Sequence, residues 1–347
     1  MKKWIIIIAI SVLVLAISSL LIGNYLLEKD DPRFVAKLVE TNPEKISVVM
    51  SENDNISFEF EADKLMPLAS VFKVIIAVEL VNQYQDNSID INEKIPLEEV
   101  EFYNFIKDAN STHETWKDEV VRDKKYVTIK EIAEGMITYS SNPNTDYLIQ
   151  RLGLDKINHT AKTLSDSHTN IYPIGASVLI PHYLTEVKGL DKGDTINRIS
   201  EIDDAEYEEL SLEINKLLMS NNYPDYKNFY PTAEEQKLWS ENSPKSTAKD
   251  YLKLLNNLET QFSEEKYNSL LLDILEINQN QVDYKGGKNG ETISVVNRAF
   301  KEIDEEGEKD IVVFIKDLDD YEKVKVTNNI DEFVNMVLEG EYSIRYY

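Results

Sequence analysis

The chemistry legible in this chain begins with a serine followed three residues later by a lysine, Ser70-Val71-Phe72-Lys73. Serine is a poor nucleophile until a neighbouring base takes its proton. Lysine can be that base when burial or a nearby cation lowers its pKa. Residues three apart on a helix share a face, so the amine can reach the hydroxyl, and a serine in a first turn also feels the positive end of the helix dipole. The same spacing recurs at Ser246/Lys249 and Ser263/Lys266. Those two pairs open charged, amphipathic helices, where serine is most simply a cap and lysine a solvated side chain. Ser70 instead opens a helix over about 70–85 so apolar that its lysine must be buried, which is rare without a role or a partner. A capping Ser70 with an ion-paired Lys73 is the competing reading, and this motif alone leaves the two level.

Two further stretches carry polar groups suited to the same chemistry. Tyr139-Ser140-Ser141-Asn142-Pro143 lies between two expected helices. Alone, it reads as a capped turn with Asn142 ahead of proline. Lys285-Gly286-Gly287 lies on an expected strand that enters Asn289-Gly290, the best short hairpin signal in the chain. Alone, it reads as a polar, flexible turn, although paired glycines in a strand also mark close approach of a ligand to the backbone.

The elements that must position these residues follow from pattern. A short helix from Asp31-Pro32 should end at Asn42-Pro43. Ile46–Met50 and Ile56–Glu61 read as strands around a turn rich in Asn, Asp and Ser. Thr128 and Glu131 form a capping box for a helix ending near Tyr139, and another helix follows Pro143. Residues 203–218 and 246–258 read as amphipathic helices. Strands return at Val282–Gly287, Ile293–Ile303 and Asp310–Leu318. Ile330, Phe333, Val334, Val337 and Leu338 make one apolar face of a last helix stopped by Gly340. Helix, two strands, helical block, three strands, helix: this order predicts an α/β chain of the α+β type. One antiparallel sheet takes strands from both ends, and a helical lobe is inserted between them.

Ser-x-x-Lys, then Ser-x-Asn, then Lys-Thr/Ser-Gly is the signature of the class A β-lactamases and penicillin-binding proteins. Here it reads SVFK, SSN and KGG, in that order and in matching contexts. The flanks ADKLMPLASVFK, VTIKEIAEGMITYSSN and TDYLIQRLG also resemble class A, over roughly 32–155 and 243–345. The resemblance implies a five-stranded antiparallel sheet flanked by N- and C-terminal helices. It implies that Ser70 attacks a carbonyl and Lys73 takes its proton. Ser140 would pass a proton to the leaving nitrogen, and Asn142 would hold a substrate amide. Lys285 would assist Ser140 and attract a carboxylate beside Gly287, and the N–H groups of Ser70 and Lys288 would form the oxyanion hole. Substrates would be β-lactams or D-Ala-D-Ala-like cell-wall peptides, with no cofactor and no metal.

Three departures qualify that resemblance. Ser141 stands where the family has Asp. Gly286 replaces the third motif's hydroxyl residue, a gap that Lys288 or Arg298 would fill unless both are surface charges. No Glu occurs between Glu134 and Glu186, where the family carries the carboxylate that activates the deacylating water, and Asp146 matches the Asn that usually holds it. A longer stretch, roughly Thr160–Asn242, replaces the loop. The expectation is a long-lived acyl-enzyme, with Asp146, Asp155 and Asp166 as ordinary turn and helix residues or stand-in bases. A non-catalytic wall- or partner-binding protein on the same scaffold is the alternative.

Other chemistries lack support. There is no G-x-S-x-G elbow, no H-E-x-x-H and no phosphate loop. The Tyr223, Tyr226, Phe229, Tyr230 run reads as loop packing before glycan cleft. The chain has 347 residues, no cysteine and a formal charge of −26, which repels nucleic acid and excludes disulfides and thiolate sites. Lys2 and Lys3 precede a charge-free run from Trp4 to Leu27, whose ~36 Å as a helix crosses a bilayer. The expectation is a cytoplasmic end at 1–3, an uncleaved anchor at 4–27, a linker and first helix at 28–45, and an extracytoplasmic hydrolase domain at 46–347. With three residues ahead of the anchor, no intracellular signalling domain is expected.

Overall fold

The computed structural model describes residues 31, 33–106, 111–277, 283–305 and 307–342. The expected anchor at 4–27 lies outside them. No helix among the described residues is long and apolar enough to cross a membrane.

The chain divides into two compact units, Ile46–Asp317 and a smaller one built from the two ends. In the smaller unit the helices Phe34–Thr41 and Asp320–Leu338 carry buried apolar faces, among them Val35, Leu38, Ile330 and Phe333. Asp31 N–H donates to Asn329 Oδ1 at 2.8 Å, and the Phe34 and Tyr321 rings meet edge-on.

The larger unit holds the sheet and every candidate residue. Its main-sheet strands, numbered along the chain, are β1 (Ile46–Glu52), β2 (Asn55–Phe60), β3 (Tyr284–Glu291), β4 (Val296–Asp304) and β5 (Gly307–Ile315). All pairs are antiparallel, in the order β2-β1-β5-β4-β3. The sheet is thus assembled from both ends of the chain, as the pattern of strands implied. Every residue of β1 from Ile46 to Ser51 is buried, a β-branched strand enclosed on both faces.

Two expectations of local structure change. β3 does not turn at Asn289-Gly290. It continues to Glu291, pairing Asn289 with Arg298 and Gly290 with Asn297, and the turn is Thr292–Val295. The glycine is needed for close packing, as described below, rather than for a turn. Ser246 is not a cap: it is buried on the strand Lys245–Thr247, paired with Leu65–Pro67, and Thr247 caps the following helix.

Between the two sheet segments lies the helical lobe around Lys73–Gln85, where ten of thirteen residues are buried. Leu, Ile and Val line this helix on all sides, so it occupies the interior rather than a surface. Its second charge, Glu79, is satisfied by Thr160 Oγ1 (2.6 Å) and Gln83 Nε2 (2.7 Å). The expected capping box at Thr128/Glu131 is present. The unaligned stretch folds as further helices, ending with Ala233–Glu241.

Candidate active site

Ser70 sits in a short 3-10 turn, Ala69–Phe72, leading into the central helix. Ala69 has a left-handed φ of +47°. Such a conformation costs a non-glycine residue about 1–3 kcal/mol and must be held from outside. Several groups hold it: Ala69 N–H donates to Ser243 Oγ at 3.2 Å, Leu68 N–H to Pro244 O at 2.8 Å, and Asn297 Nδ2 to Pro67 O at 2.8 Å. Asn297 Oδ1 accepts in turn from Ile315 N–H, so one amide ties the nucleophile's turn to β5. Neither Ser243 nor Asn297 carries a sequence signal that could have marked it.

Lys73 is fully buried. Its Nζ lies 2.8 Å from Ser140 O, 3.0 Å from Asn142 Oδ1 and 3.2 Å from Ser140 Oγ, and the Ser140 and Ser70 hydroxyl oxygens are 2.8 Å apart. The expected direct contact between Lys73 and Ser70 is absent; Ser140 Oγ bridges them. The reason is Ser140's φ of +58°, which turns both its carbonyl and its hydroxyl toward the amine. The array suits a proton acceptor. As an ammonium, Lys73 donates to all three oxygens. As an amine, its two N–H groups satisfy the carbonyl and the amide, and the lone pair faces the Ser140 hydroxyl. Taking up or losing the proton requires only that the Ser140 and Ser70 hydroxyl hydrogens turn.

Electrostatics favour the amine. Burial lowers the Lys73 pKa well below its ordinary value, the charge of Lys288 lowers it further, and Asp146 only partly opposes them. Lys288 is itself buried and pushed down to about 7 by burial and by Arg298, against the pull of Glu291. Arg298 is also buried, paired with Glu291 Oε1 at 2.9 Å. These two cations belong to the interior, not to the surface.

Lys288, rather than Lys285, is the strand lysine that the fold brings to Lys73. The two are three apart on β3 and so point to opposite faces. Lys285 pairs with Glu302 at 2.5 Å and lies over the Phe300 ring at 4.0 Å. Gly287 abuts the neighbouring strand: a Cβ there would meet Ala299 O at 2.3 Å. Gly290 passes the nucleophile, where a Cβ would lie 2.6 Å from Leu68 O and 3.0 Å from Ser70 N. The stretch beside Ser70 is therefore Lys288-Asn289-Gly290, three residues on from Lys285-Gly286-Gly287.

Asp146 is buried, with its oxygens accepting from the N–H groups of Ile174 and Gly175, both at 2.7 Å. Burial raises its pKa to about 6, against those hydrogen bonds and the charge of Lys73. Ser70 lines a narrow slot of about 20 Å³ with Tyr172, Trp239, Pro244 and Thr292, whose buried Oγ1 has no protein partner. Asn142 and Trp239 also line an adjoining cavity of about 380 Å³ with Tyr103, Phe105 and Tyr230. The tyrosine run thus divides. Tyr223 and Tyr226 pack on each other, Phe229 packs on His182, and Tyr230 faces the cavity.

A family model described as the β-lactamase enzyme family matches residues 33–298. The chain belongs to the β-lactamase enzyme family. Solved structures agree on the fold. A class A β-lactamase from Bacteroides cellulosilyticus is 16% identical, with a TM-score of 0.55 over 90% of this chain and 100% of that one. A β-lactamase from Sphaerobacter thermophilus is 14% identical, with a TM-score of 0.54 over 88% and 97%. No curated protein matches by sequence. In this β-lactamase-family chain the first two motifs stand where the sequence placed them. The third is read as Lys288-Asn289-Gly290, so an amide, Asn289, occupies the place of the family's Thr or Ser. Ser141 caps the helix Asn142–Leu152, accepting from Asn144 N–H at 3.2 Å.

Proposed function

We propose that this protein is a β-lactamase-type serine hydrolase that acylates Ser70 with β-lactams or D-Ala-D-Ala-like wall peptides and releases the acyl group slowly. The observation that carries the reading is the Ser70–Ser140–Lys73 hydroxyl bridge, ending on a buried lysine held toward its amine form. Ser70 Oγ attacks the carbonyl as its proton passes through Ser140 to Lys73. Ser140 returns a proton to the leaving nitrogen, Asn142 orients the substrate amide, and Lys288 attracts the carboxylate. The Ser70 N–H, beside Gly290, serves the developing oxyanion together with the strand N–H that follows that glycine.

Slow release is supported by what surrounds Asp146. The segment that meets it presents the main chain of Ile174 and Gly175, and both Asp146 oxygens are taken by that main chain. No Glu lies between residues 134 and 186 to activate water. The charge-free run at 4–27 behind Lys2 and Lys3 supports a membrane-tethered, extracytoplasmic enzyme.

Intact mass after exposure to benzylpenicillin, followed over time, tests the reading. The expected result is one added penicilloyl mass that persists for minutes or longer and is lost in Ser70→Ala. Rapid turnover of a chromogenic cephalosporin in molar excess overturns slow release. No adduct at all overturns acylation and leaves a wall- or partner-binding scaffold.

A further inference from the structure

The cavity beside the nucleophile has walls that the proposed chemistry does not use. It shares Asn142 and Trp239 with the narrow slot at Ser70. Its volume of about 380 Å³ falls in the range of small-molecule pockets. Two stretches far apart in sequence supply most of the lining. One is Tyr103–Ile106, ahead of the second motif. The other is Tyr230–Trp239, at the end of the long stretch that replaces the family's loop.

These walls are held within the fold. Trp239 Nε1 donates to Ser177 Oγ at 2.9 Å. The Phe105 ring is seated against Gly175, where a Cβ would lie 2.7 Å from its Cδ2, and it meets the Tyr103 and Tyr226 rings edge-on. Thr232 and Glu235 form a capping box at the start of the helix Ala233–Glu241. In it, Glu235 Oε2 accepts from Thr232 N–H at 2.6 Å and from the Thr232 hydroxyl at 2.9 Å. The box engages one carboxylate oxygen of Glu235 and not the other.

The lining is aromatic and carries one sign of charge. Among the described residues that form it, Glu235 is the one charged group, and it is half-buried. Gln236 Nε2 donates to Pro231 O at 2.9 Å, which leaves the Gln236 carbonyl oxygen as a further acceptor. Aromatic faces attract cations, and a carboxylate facing a second anion repels it. Asn142 orients the substrate amide in the reading above, so whatever that amide carries lies next to the cavity that Asn142 also lines.

We infer that this cavity receives the acyl side chain of the substrate and selects aromatic side chains that are neutral or cationic over anionic ones, with Glu235 setting the charge preference. The inference rests on acylation at Ser70. It names a specificity residue in a segment outside the three motifs, and a substrate class defined by its side chain.

Three penicillins that share one nucleus and one phenyl ring make the test: benzyl, α-aminobenzyl and α-carboxybenzyl. At pH 6 an α-amine is protonated and a carboxyl ionised. The second-order acylation constants should fall in the order amino, benzyl, carboxyl. The benzyl compound should also react on the order of tenfold faster than a penicillin bearing a bare acetyl group. Glu235→Gln keeps the capping box, which accepts glutamine at that position. It should weaken the preference for the amine and relieve the rejection of the carboxylate by about threefold each, so the amino-to-carboxyl ratio should drop on the order of tenfold. A ratio of rates does not depend on the folded fraction. Glu234→Gln, exposed and outside the cavity, removes the same charge one residue away and should leave the ratio unchanged. An unmoved ratio in Glu235→Gln, an equal shift in Glu234→Gln, or equal rates for benzyl and acetyl compounds overturns the inference. If none of these compounds acylates the wild type, the proposed function fails. Calorimetric dissociation constants of the amino and carboxyl compounds for Ser70→Ala then decide the cavity: tighter binding of the amine, lost in Ser70→Ala/Glu235→Gln, upholds it, and equal or absent binding overturns it.

Discussion

Gly290 offers a direct test of which part of β3 serves Ser70. In Gly290→Ala the added methyl would lie 2.6 Å from Leu68 O and 3.0 Å from Ser70 N. Ordinary contact begins at about 3.4 Å, so the first is short by 3.4 − 2.6 = 0.8 Å, and both neighbours are main chain that cannot rotate away. The strand or the nucleophile's turn must shift by most of an ångström. Overpacking of that kind costs about 1–3 kcal/mol, a melting point lowered by several degrees. A displacement near 1 Å at a reacting group costs on the order of 10²-fold in rate. Gly287→Ala is the control. It combines a φ of +142° with a Cβ 2.3 Å from Ala299 O, so it should destabilise at least as much, yet its clash is with β4. The assay is the second-order rate constant for labelling by a fluorescent penicillin, with thermal melts in parallel. Gly290→Ala should label ~10²-fold more slowly while still folded, and Gly287→Ala should label at close to the wild-type rate per folded molecule. Wild-type labelling by Gly290→Ala, or loss confined to Gly287→Ala, would refute the placement of Lys288-Asn289-Gly290 at the site.

Further outcomes follow from the same geometry. Lys285→Met should keep acylation within about twofold and lose about 1–3 kcal/mol of stability, since it leaves the mostly buried Glu302 unpaired and breaks a ring contact on the far face of β3; a hundredfold loss of labelling per folded molecule would place Lys285 in the chemistry. Burial and the charge of Arg298 push the Lys288 amine down to about 7. In the proposed role its ammonium would bind the substrate carboxylate below that value and be lost above it, so the dissociation constant for an anionic β-lactam should rise as pH climbs through about 7; a flat profile from pH 6 to 9 would remove Lys288 from carboxylate binding. Asp146→Asn removes the anion that raises the Lys73 pKa, so the acid limb of the acylation profile should move to lower pH. The same change places an amide N–H against a main-chain N–H and should cost about 1–3 kcal/mol in a denaturant melt; an unmoved limb would exclude coupling between Asp146 and Lys73. Trp239→Ala should widen the slot at Ser70 and speed acylation by β-lactams with bulky side chains, measured against a small penam; equal rates for both would show that Trp239 does not gate the serine.

What the sequence determined by itself was local and periodic. Two apolar-rich runs around a turn of Asn, Asp and Ser gave β1 and β2, the Thr128/Glu131 box gave a helix start, and an apolar run with one lysine gave a central helix with a buried amine. These signals sit within a few residues of one another, which is why they survive translation into structure. The register of the third motif was not legible. Lys285 and Lys288, three apart, offer the same residue type and each has a glycine two residues on, and only the pairing of β3 with β4 fixes which one faces Lys73. Asn289-Gly290 has the chemistry of a turn, but it was spent on a strand because the Ser70 turn packs against it. Ser140's left-handed backbone, which places its hydroxyl between Ser70 and Lys73, has no mark in the sequence, and neither do Ser243 and Asn297 as tethers. The histidine behind Ser141 is the clearest case. Nothing in the spacing of Glu101, His113 and Ser141 joins them; the buried His113 ring lies 2.8 Å from Ser141 Oγ and 2.7 Å from Glu101 Oε1 because two helices and a cap converge there.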